Sequence, residues 1–170
     1  MKIARDIGCF LCYTRPMAKL VSEQYLAAWR AFLTAQARVV EQIDRDLAAA
    51  EQLPLGWYDV LIELAGAPER RLRMNELARK VVLSRSGLTR LVDRIEAEGF
   101  LKRELDPTDR RGFYAILTDK GRIALREAWP IYAKGIANYF ARHLSDQEAQ
   151  QVEAILRRVL AGMEEGGGNV

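Results

Sequence analysis

The chain is poor in the residues that most often build catalytic and metal sites. It holds two cysteines and a single histidine among its 170 residues. A zinc site takes about four such ligands. The sequence also contains no recognisable pairing of a nucleophile with a base and no glycine-rich phosphate loop. We therefore expect no catalytic residues, no metal site and no cofactor, and a protein that is not an enzyme.

Long apolar stretches are also missing. No run approaches the roughly 18–20 apolar residues that span a bilayer. The beginning of the chain carries Asp6 and offers no small-residue cleavage site for secretion. We expect a cytoplasmic protein that does not contact a membrane. Met17 would also serve as a start, so residues 1–16 need not belong to the natural product.

Charge is unevenly distributed along the chain. The net charge is only +3, yet Arg70 to Arg126 contains 15 Lys/Arg and 8 Asp/Glu, a balance of +7. The remaining residues contain 11 basic and 15 acidic groups, a balance of −4. A basic segment suits a polyanion partner, because each neutralised phosphate releases counterions. A solvated basic face has the same composition, so charge alone leaves both interpretations open.

Apolar spacing predicts long helices at both ends of the chain. The first runs from Ser22 to about Gln52, and the last begins at the capping box Ser145–Glu148. Both carry apolar residues at steps of three and four, which is typical of paired helices. We expect a second copy to cover them, which predicts a symmetric homodimer. An antiparallel pair within one chain is the alternative. In the first helix these residues are Leu26, Trp29, Leu33, Val40, Ile43 and Leu47.

Three shorter helices are expected between these ends. The first extends from about Trp57 to Ala65. Asn75 caps the second, which runs from Glu76 to Val82, and Ser84 caps the third, which Gly99 ends. The last two form a helix-turn-helix.

A hairpin and a further helix follow. Strands are expected at Phe100–Leu105 and Phe113–Leu117, separated by the turn residues Asp106–Gly112. Thr118 begins a helix that Pro130 should bend. The fold class is therefore mainly α with a small β-wing, a winged helix-turn-helix flanked by N- and C-terminal dimerisation helices. The expected domains are an N-terminal extension (1–21), the N-terminal dimerisation helix (22–53), the winged helix-turn-helix lobe (54–118), the C-terminal dimerisation helices (119–165) and a disordered tail (166–170).

The helix after Ser84 and the hairpin tip carry side chains suited to double-stranded DNA. Arginine forks fit guanine O6 and N7 in the major groove, and Ser or Thr hydroxyls accept either polarity. A constrained arginine at a hairpin tip fits a narrow minor groove. Lys102 and Arg103 on the first strand are expected near the DNA backbone. The candidate DNA-binding residues are Arg73, Asn75, Ser84, Arg85, Ser86, Gly87, Thr89, Arg90, Arg94, Asp109, Arg110 and Arg111.

Two segments together carry a family resemblance. Residues 84–94 read Ser-Arg-Ser-Gly-Leu-Thr-Arg-Leu-Val-Asp-Arg, and residues 109–112 read Asp-Arg-Arg-Gly, with Leu-Thr following at 117–118. This arrangement resembles the MarR family of winged helix-turn-helix regulators from about Ser22 to Met163. The resemblance implies a homodimeric transcriptional regulator, usually a repressor, on an inverted-repeat operator. It matches the family's wing aspartate and arginine to Asp109 and Arg111. It matches the family's recognition-helix positions to Arg85, Ser86, Thr89 and Arg90.

The resemblance also implies a small aromatic effector that lowers DNA affinity. Family members commonly bind such ligands in a crevice between the dimerisation helices and the winged lobe. Plain core packing is the alternative for the aromatic residues expected there. These residues are Trp29, Phe32, Trp57, Tyr58, Trp129 and Tyr132.

Two rival functions remain open. Cys9 and Cys12 form a CxxC pair that would suit a redox-sensing regulator, although two ordinary reduced thiols fit equally well. A helical interaction module whose winged motif binds protein is the second rival. Salt dependence separates it from a DNA-binding protein, since phosphate contacts weaken steeply as salt rises.

Overall fold

The computed structural model of the protein describes residues 21–81, 85–107 and 109–166, without the side chains of residues 85, 86, 110, 111 and 164–166. Helices dominate these ranges, and a small sheet lies among them. The elements are α1 (Glu23–Ala49), α2 (Leu55–Gly66), β1 (Arg71–Arg73), α3 (Met74–Lys80), α4 (Arg85–Ala97), β2 (Leu101–Asp106), β3 (Asp109–Leu117), α5 (Asp119–Tyr139) and α6 (Asp146–Gly166). The expected class, mainly α with a β-wing, is confirmed.

The chain divides into two compact units between Arg38 and Val39. In the described part of the first unit, the rings of Trp29 and Phe32 lie 6.0 Å apart. The second unit contains the helix-turn-helix, the sheet and the buried core. The domain boundaries expected from the sequence, at 21/22, 53/54, 118/119 and 165/166, stay predictions.

The end of α1 contributes to the core of the second unit. Ile43 and Leu47 are 3% and 0% exposed. Gly135 of α5 lets the two helices approach closely, because a Cβ at this glycine would lie 2.7 Å from Ile43 Cγ1. The expectation that a second copy covers Ile43 and Leu47 is therefore wrong. Burial of such side chains within the unit contributes about 1.5–3 kcal/mol each.

The sheet has three antiparallel strands in the order β1-β3-β2. Strand β1 was not expected from the sequence: Leu72 pairs with Ala115, and the two flanking residues of β1 pair with Ile116 and Tyr114. Three residues are too short for an alternating pattern to be recognised. The turn between β2 and β3 is also tighter than the expected Asp106–Gly112, because Asp106 already pairs with Asp109 after an irregularity in the register.

Helix α3 begins earlier than expected. Arg73 occupies the N-cap position, and its backbone N–H donates to the Glu76 carboxylate at 3.0 Å. The prediction that Asn75 caps this helix is wrong, since Asn75 lies within its first turn. The strand pairing of Arg73 with Tyr114 fixes where β1 ends, and the helix starts directly after it. Helix α3 ends at Lys80, two residues before the expected Val82.

The expected starts of the C-terminal helices are confirmed. The Thr118 hydroxyl accepts a hydrogen bond from the Gly121 N–H at the start of α5, and Pro130 lies inside that helix. Ser145 and Glu148 form the capping box of α6, with the Ser145 N–H donating to the Glu148 carboxylate at 2.8 Å. These bonds lower the pKa of Glu148. Helix α6 includes Gly166, one residue into the expected tail, and residues 167–170 lie outside the described ranges.

Candidate nucleic-acid interface

Helix α4 has one buried face and one solvent-exposed face. Its side chains Thr89, Arg90 and Arg94 are exposed. Gly99 ends the segment with a φ of 77°, a backbone conformation that favours glycine. The predicted amphipathic helix is confirmed, and its polar side is open to a ligand. The buried side consists of Leu88, Leu91, Val92 and Ile95, none more than 7% exposed.

Part of the predicted interface falls outside the described residues. Ser84 lies outside them, as do the side chains of Arg85, Ser86, Arg110 and Arg111. Gly87 is half-buried in the first turn of α4, and Asp109 and Asn75 are exposed. The DNA contacts assigned to all of these residues stay predictions.

Arg103 attaches the wing, which is the hairpin of strands β2 and β3, to helix α4. Its guanidinium contacts Asp93 at 2.8 Å and Glu96 at 2.6 Å, and its backbone N–H donates to Glu96 at 2.7 Å. The hydrogen bond with Glu96, followed by the nearby carboxylate charges, raises the pKa of Arg103. The guanidinium of Arg103 is thus engaged within the protein, where it fixes strand β2 against helix α4.

Arg73 forms a second connection, which joins the end of β1 to the end of β2 beside the turn of the hairpin. Its Nη2 lies 2.6 Å from Asp106 Oδ2, and its Nε donates to the Tyr114 hydroxyl at 3.1 Å. The hydrogen bond with Tyr114, then the charge of Asp106, raises the pKa of Arg73. The Asp106 side chain is 1% exposed, so the pair anchors a buried carboxylate. These contacts of Arg73 lie within the protein, and its assignment as a DNA-binding residue stays a prediction.

Sequence reasoning missed Asp106, Tyr114, Asp93 and Glu96 as determinants of this geometry. Asp106 was interpreted as a turn residue because Pro107 follows it. Its partner Arg73 is 33 residues away in the sequence, and Glu96 is seven residues before Arg103 but on a different element. No local pattern marks either pairing. The neighbouring charges show similar pairing within the protein, since Lys102 contacts Glu104 at 2.6 Å and the Arg71 guanidinium lies 5.0 Å from the Tyr114 ring.

The aromatic residues expected at an effector site come from both units of the chain. In the second unit, Tyr58 and Tyr132 have ring centroids 4.6 Å apart, and Trp129 lies 6.2 Å from Tyr132. Trp57 packs edge-on against Phe100 at 5.9 Å. In the first unit, Trp29 and Phe32 contact each other.

The aromatic residues of the second unit differ in how deeply they are buried. Tyr58 is 2% exposed, whereas Trp129 is 53% exposed. Burial raises the pKa of both Tyr58 and Tyr132, because it disfavours the charged phenolate. Core packing therefore accounts for Tyr58, while Trp129 presents an open aromatic edge.

Metal-binding clusters and membrane-spanning helices are both missing from the described part of the chain. Within residues 21–81, 85–107 and 109–166, no three His, Cys, Asp or Glu side chains gather as a metal site requires. Across the same ranges no helix is both long and apolar enough to cross a membrane. Cys9 and Cys12, the proposed redox pair, lie outside the described residues.

Known proteins with similar sequences are regulators. The sequence model of the MarR family matches residues 51–112. The uncharacterised HTH-type transcriptional regulator YkoM of Bacillus subtilis (strain 168) is 31% identical over 136 residues, which cover 80% of this chain and 86% of YkoM. The transcriptional repressor MprA of Escherichia coli (strain K12) is 30% identical over 108 residues, covering 64% of this chain and 61% of MprA.

A solved structure shares both the fold and part of the sequence. Sco3205, a MarR family transcriptional regulator from Streptomyces coelicolor, was crystallised in complex with DNA. It superposes on this chain with a TM-score of 0.77 at 33% sequence identity, covering 84% of this chain and 89% of Sco3205. The winged arrangement of α3, α4 and the β2–β3 hairpin is thus one that a DNA-bound protein also uses.

Proposed function

The chain belongs to the MarR family of DNA-binding transcriptional regulators, and from this premise we propose that it acts as a homodimeric repressor on an inverted-repeat operator. The observation that carries the proposal is the exposed polar face of α4, fixed beside the wing by Arg103. A helix held this way can enter the major groove while the hairpin meets the adjacent minor groove. Repression is the direction we propose because MprA, a relative, is a repressor.

Family membership also settles the class of activity: the protein is a transcriptional regulator and not an enzyme. Its electrostatics agree with this role, because the +7 segment Arg70–Arg126 includes α4 and the wing. Since its proposed ligand is chromosomal DNA, we place the protein in the cytoplasm.

The dimer is proposed from the apolar side chains that α6 leaves in solvent. Four of them, counted among residues 146–163, are between 49% and 67% exposed. Such a row on one helix would be covered by a symmetry-related copy. These residues are Ile155, Val159, Leu160 and Met163.

Selection of genomic DNA tests the proposal. Fragments retained by the purified protein should share an inverted repeat whose half-site centres lie about 34 Å, one turn, apart. The expected reason is the two-fold axis, which presents two α4 helices to one face of the duplex. A population of retained fragments without a repeat, or no retention at low salt, would oppose the proposed function.

We further propose that a small aromatic carboxylate releases the protein from DNA. Support comes from the half-exposed Trp129 beside Tyr132, which offers an aromatic surface to a flat ligand. Benzoate and 4-hydroxybenzoate are suitable probes. Each should quench tryptophan fluorescence and lower operator affinity by about 5- to 150-fold.

Variants separate this effect from nonspecific quenching. Trp129→Phe and Tyr132→Phe should shift the benzoate concentration at half-effect, while Trp57→Phe, whose ring packs on Phe100, should change it less. An operator affinity that neither probe changes would remove aromatic carboxylates as effectors and leave DNA binding intact.

A further inference from the structure

Two apolar side chains on the wing are exposed in the described part of the chain. Leu105 on β2 is 63% exposed and Phe113 on β3 is 42% exposed. They lie directly opposite each other in the strand register. Cross-strand partners share one face of a sheet, so they form a contiguous apolar pair. Contiguous exposed apolar side chains mark an interaction site more often than single exposed ones do.

The strand register identifies the face that carries the pair. Side chains two residues apart along a strand point the same way. Leu105 therefore shares a face with Arg103, and Phe113 shares it with Ala115, which is fully buried. Arg103 on this face contacts helix α4 through Glu96. The pair thus continues, towards the wing tip, the face that the wing turns to the recognition helix.

Phe113 also reaches the beginning of α3. It lines a cavity of about 230 Å³ whose other lining residues are Arg73, Met74, Asn75, Asp106, Asp109 and Gly112. The first helix of a helix-turn-helix crosses the DNA backbone, so a residue beside its first turn lies along the path of that backbone. This cavity places Phe113 there independently of the strand register.

The geometry of a winged helix on DNA indicates what meets this face. With α4 in the major groove and the wing in the minor groove, the sugar-phosphate strand that separates the two grooves passes between them. Arg103 on this face is already bound to two carboxylates of α4. Among the described side chains of this face, Arg103 is therefore engaged within the protein, whereas Leu105 and Phe113 present hydrocarbon to the strand.

We propose that Leu105 and Phe113 pack against deoxyribose groups of the strand between the two grooves, and so position the wing by an apolar contact. The proposal rests on the proposed DNA-binding function. Apolar side chains are known to contact DNA where a protein bends or enters the minor groove. Because sugars are the same at every base pair, the contact adds affinity with little sequence preference.

The test compares the double variant Leu105→Ala, Phe113→Ala with wild type on the selected operator at several salt concentrations. Loss of about 60 Å² of apolar contact per subunit should weaken binding about tenfold per subunit, and so about a hundredfold for a dimer. The slope of log affinity against log salt should stay unchanged, since no phosphate contact is removed. Ile62→Ala, which removes a 42%-exposed apolar side chain from α2, is the matched control and should bind normally.

Each outcome of this test either supports or overturns the proposed contact of Leu105 and Phe113 with DNA. Leu105→Gln keeps the side-chain size, so a comparable loss of affinity in that variant shows that the apolar character matters. Wild-type affinity in the double variant, or a salt slope reduced by about one, overturns the inference while leaving DNA binding in place. A changed oligomeric state in sedimentation, with unchanged DNA affinity, assigns the pair to a second copy and also overturns it. Failure of the wild-type protein to bind any DNA would instead refute the proposed function.

Discussion

Replacing Arg90 with alanine should weaken operator binding by about 10- to 100-fold for each half-site that this residue reads. Arg90 is exposed on the polar side of α4, opposite the buried Leu88, Leu91 and Val92. Its guanidinium can donate two parallel hydrogen bonds to guanine O6 and N7, and alanine leaves these acceptors without a protein partner. Fluorescence anisotropy with a labelled operator duplex measures the effect.

A charge-matched control separates base reading from general attraction. Arg122→Ala removes the same charge from α5, where Arg122 contacts Asp119 at 3.4 Å. We expect this variant to bind within about twofold of wild type, because an exposed ion pair of this kind contributes little. Equal losses in both variants would mean that Arg90 contributes only charge. Unchanged affinity in Arg90→Ala would contradict its assignment to the major groove.

Gly121→Ala should destabilise the fold by about 3 kcal/mol. A Cβ at this position would lie 2.1 Å from the Phe100 carbonyl oxygen and 2.8 Å from Leu117 Cδ1. The Phe100 carbonyl belongs to the backbone and cannot rotate away. Thr118 holds the same junction, because its hydroxyl donates to the Gly99 carbonyl at 2.7 Å and accepts from the Gly121 N–H at 3.1 Å. The start of α5 would have to move away from the wing.

Urea unfolding of Gly121→Ala and of Gly56→Ala measures this prediction. Gly56 lies in α2, and an alanine Cβ there would have no other atom within 4 Å. Alanine at Gly56 should therefore be neutral or stabilise by about 0.4–1 kcal/mol through the unfolded chain. A similar shift of the urea midpoint in the two variants would contradict the close approach at Gly121. Loss of operator affinity is expected to accompany the loss of stability in Gly121→Ala.

The elements predicted correctly are those whose signal is local. Leu88, Leu91, Val92 and Ile95 repeat at helical spacing, and all four are buried in α4. Ser145 and Glu148 form a capping box within four residues of sequence, and the hydrogen bonds occur as expected. Such patterns depend on one element alone, so the sequence is sufficient to predict them.

The elements predicted wrongly depend on partners distant in sequence. Strand β1 has only three residues, and its pairing with β3 fixes the start of α3 at Met74 instead of after Asn75. The apolar spacing of α1 was correct, but spacing alone does not identify the covering surface. Ile43 and Leu47 are covered by their own unit.

Charged residues were the hardest to assign. A basic side chain in a basic segment suggests a phosphate contact, yet Arg73 and Arg103 are both held by acidic residues. Asp106, Asp93 and Glu96 hold these two arginines in connections that orient the wing, and the DNA contacts predicted for both arginines stay predictions. Only the folded chain brings these carboxylates to the arginines. By contrast, Arg90 and Thr89 lie on the exposed face of α4, as the helical spacing predicted.

The most direct test of two α4 helices acting together on one duplex is an anisotropy titration with two operators. One carries the selected inverted repeat, and the other carries the same half-sites with about five base pairs, half a turn, inserted between them. We predict that the insertion weakens binding at least a hundredfold, because it turns one half-site to the opposite face of the DNA. Equal affinity for the two duplexes would contradict the account.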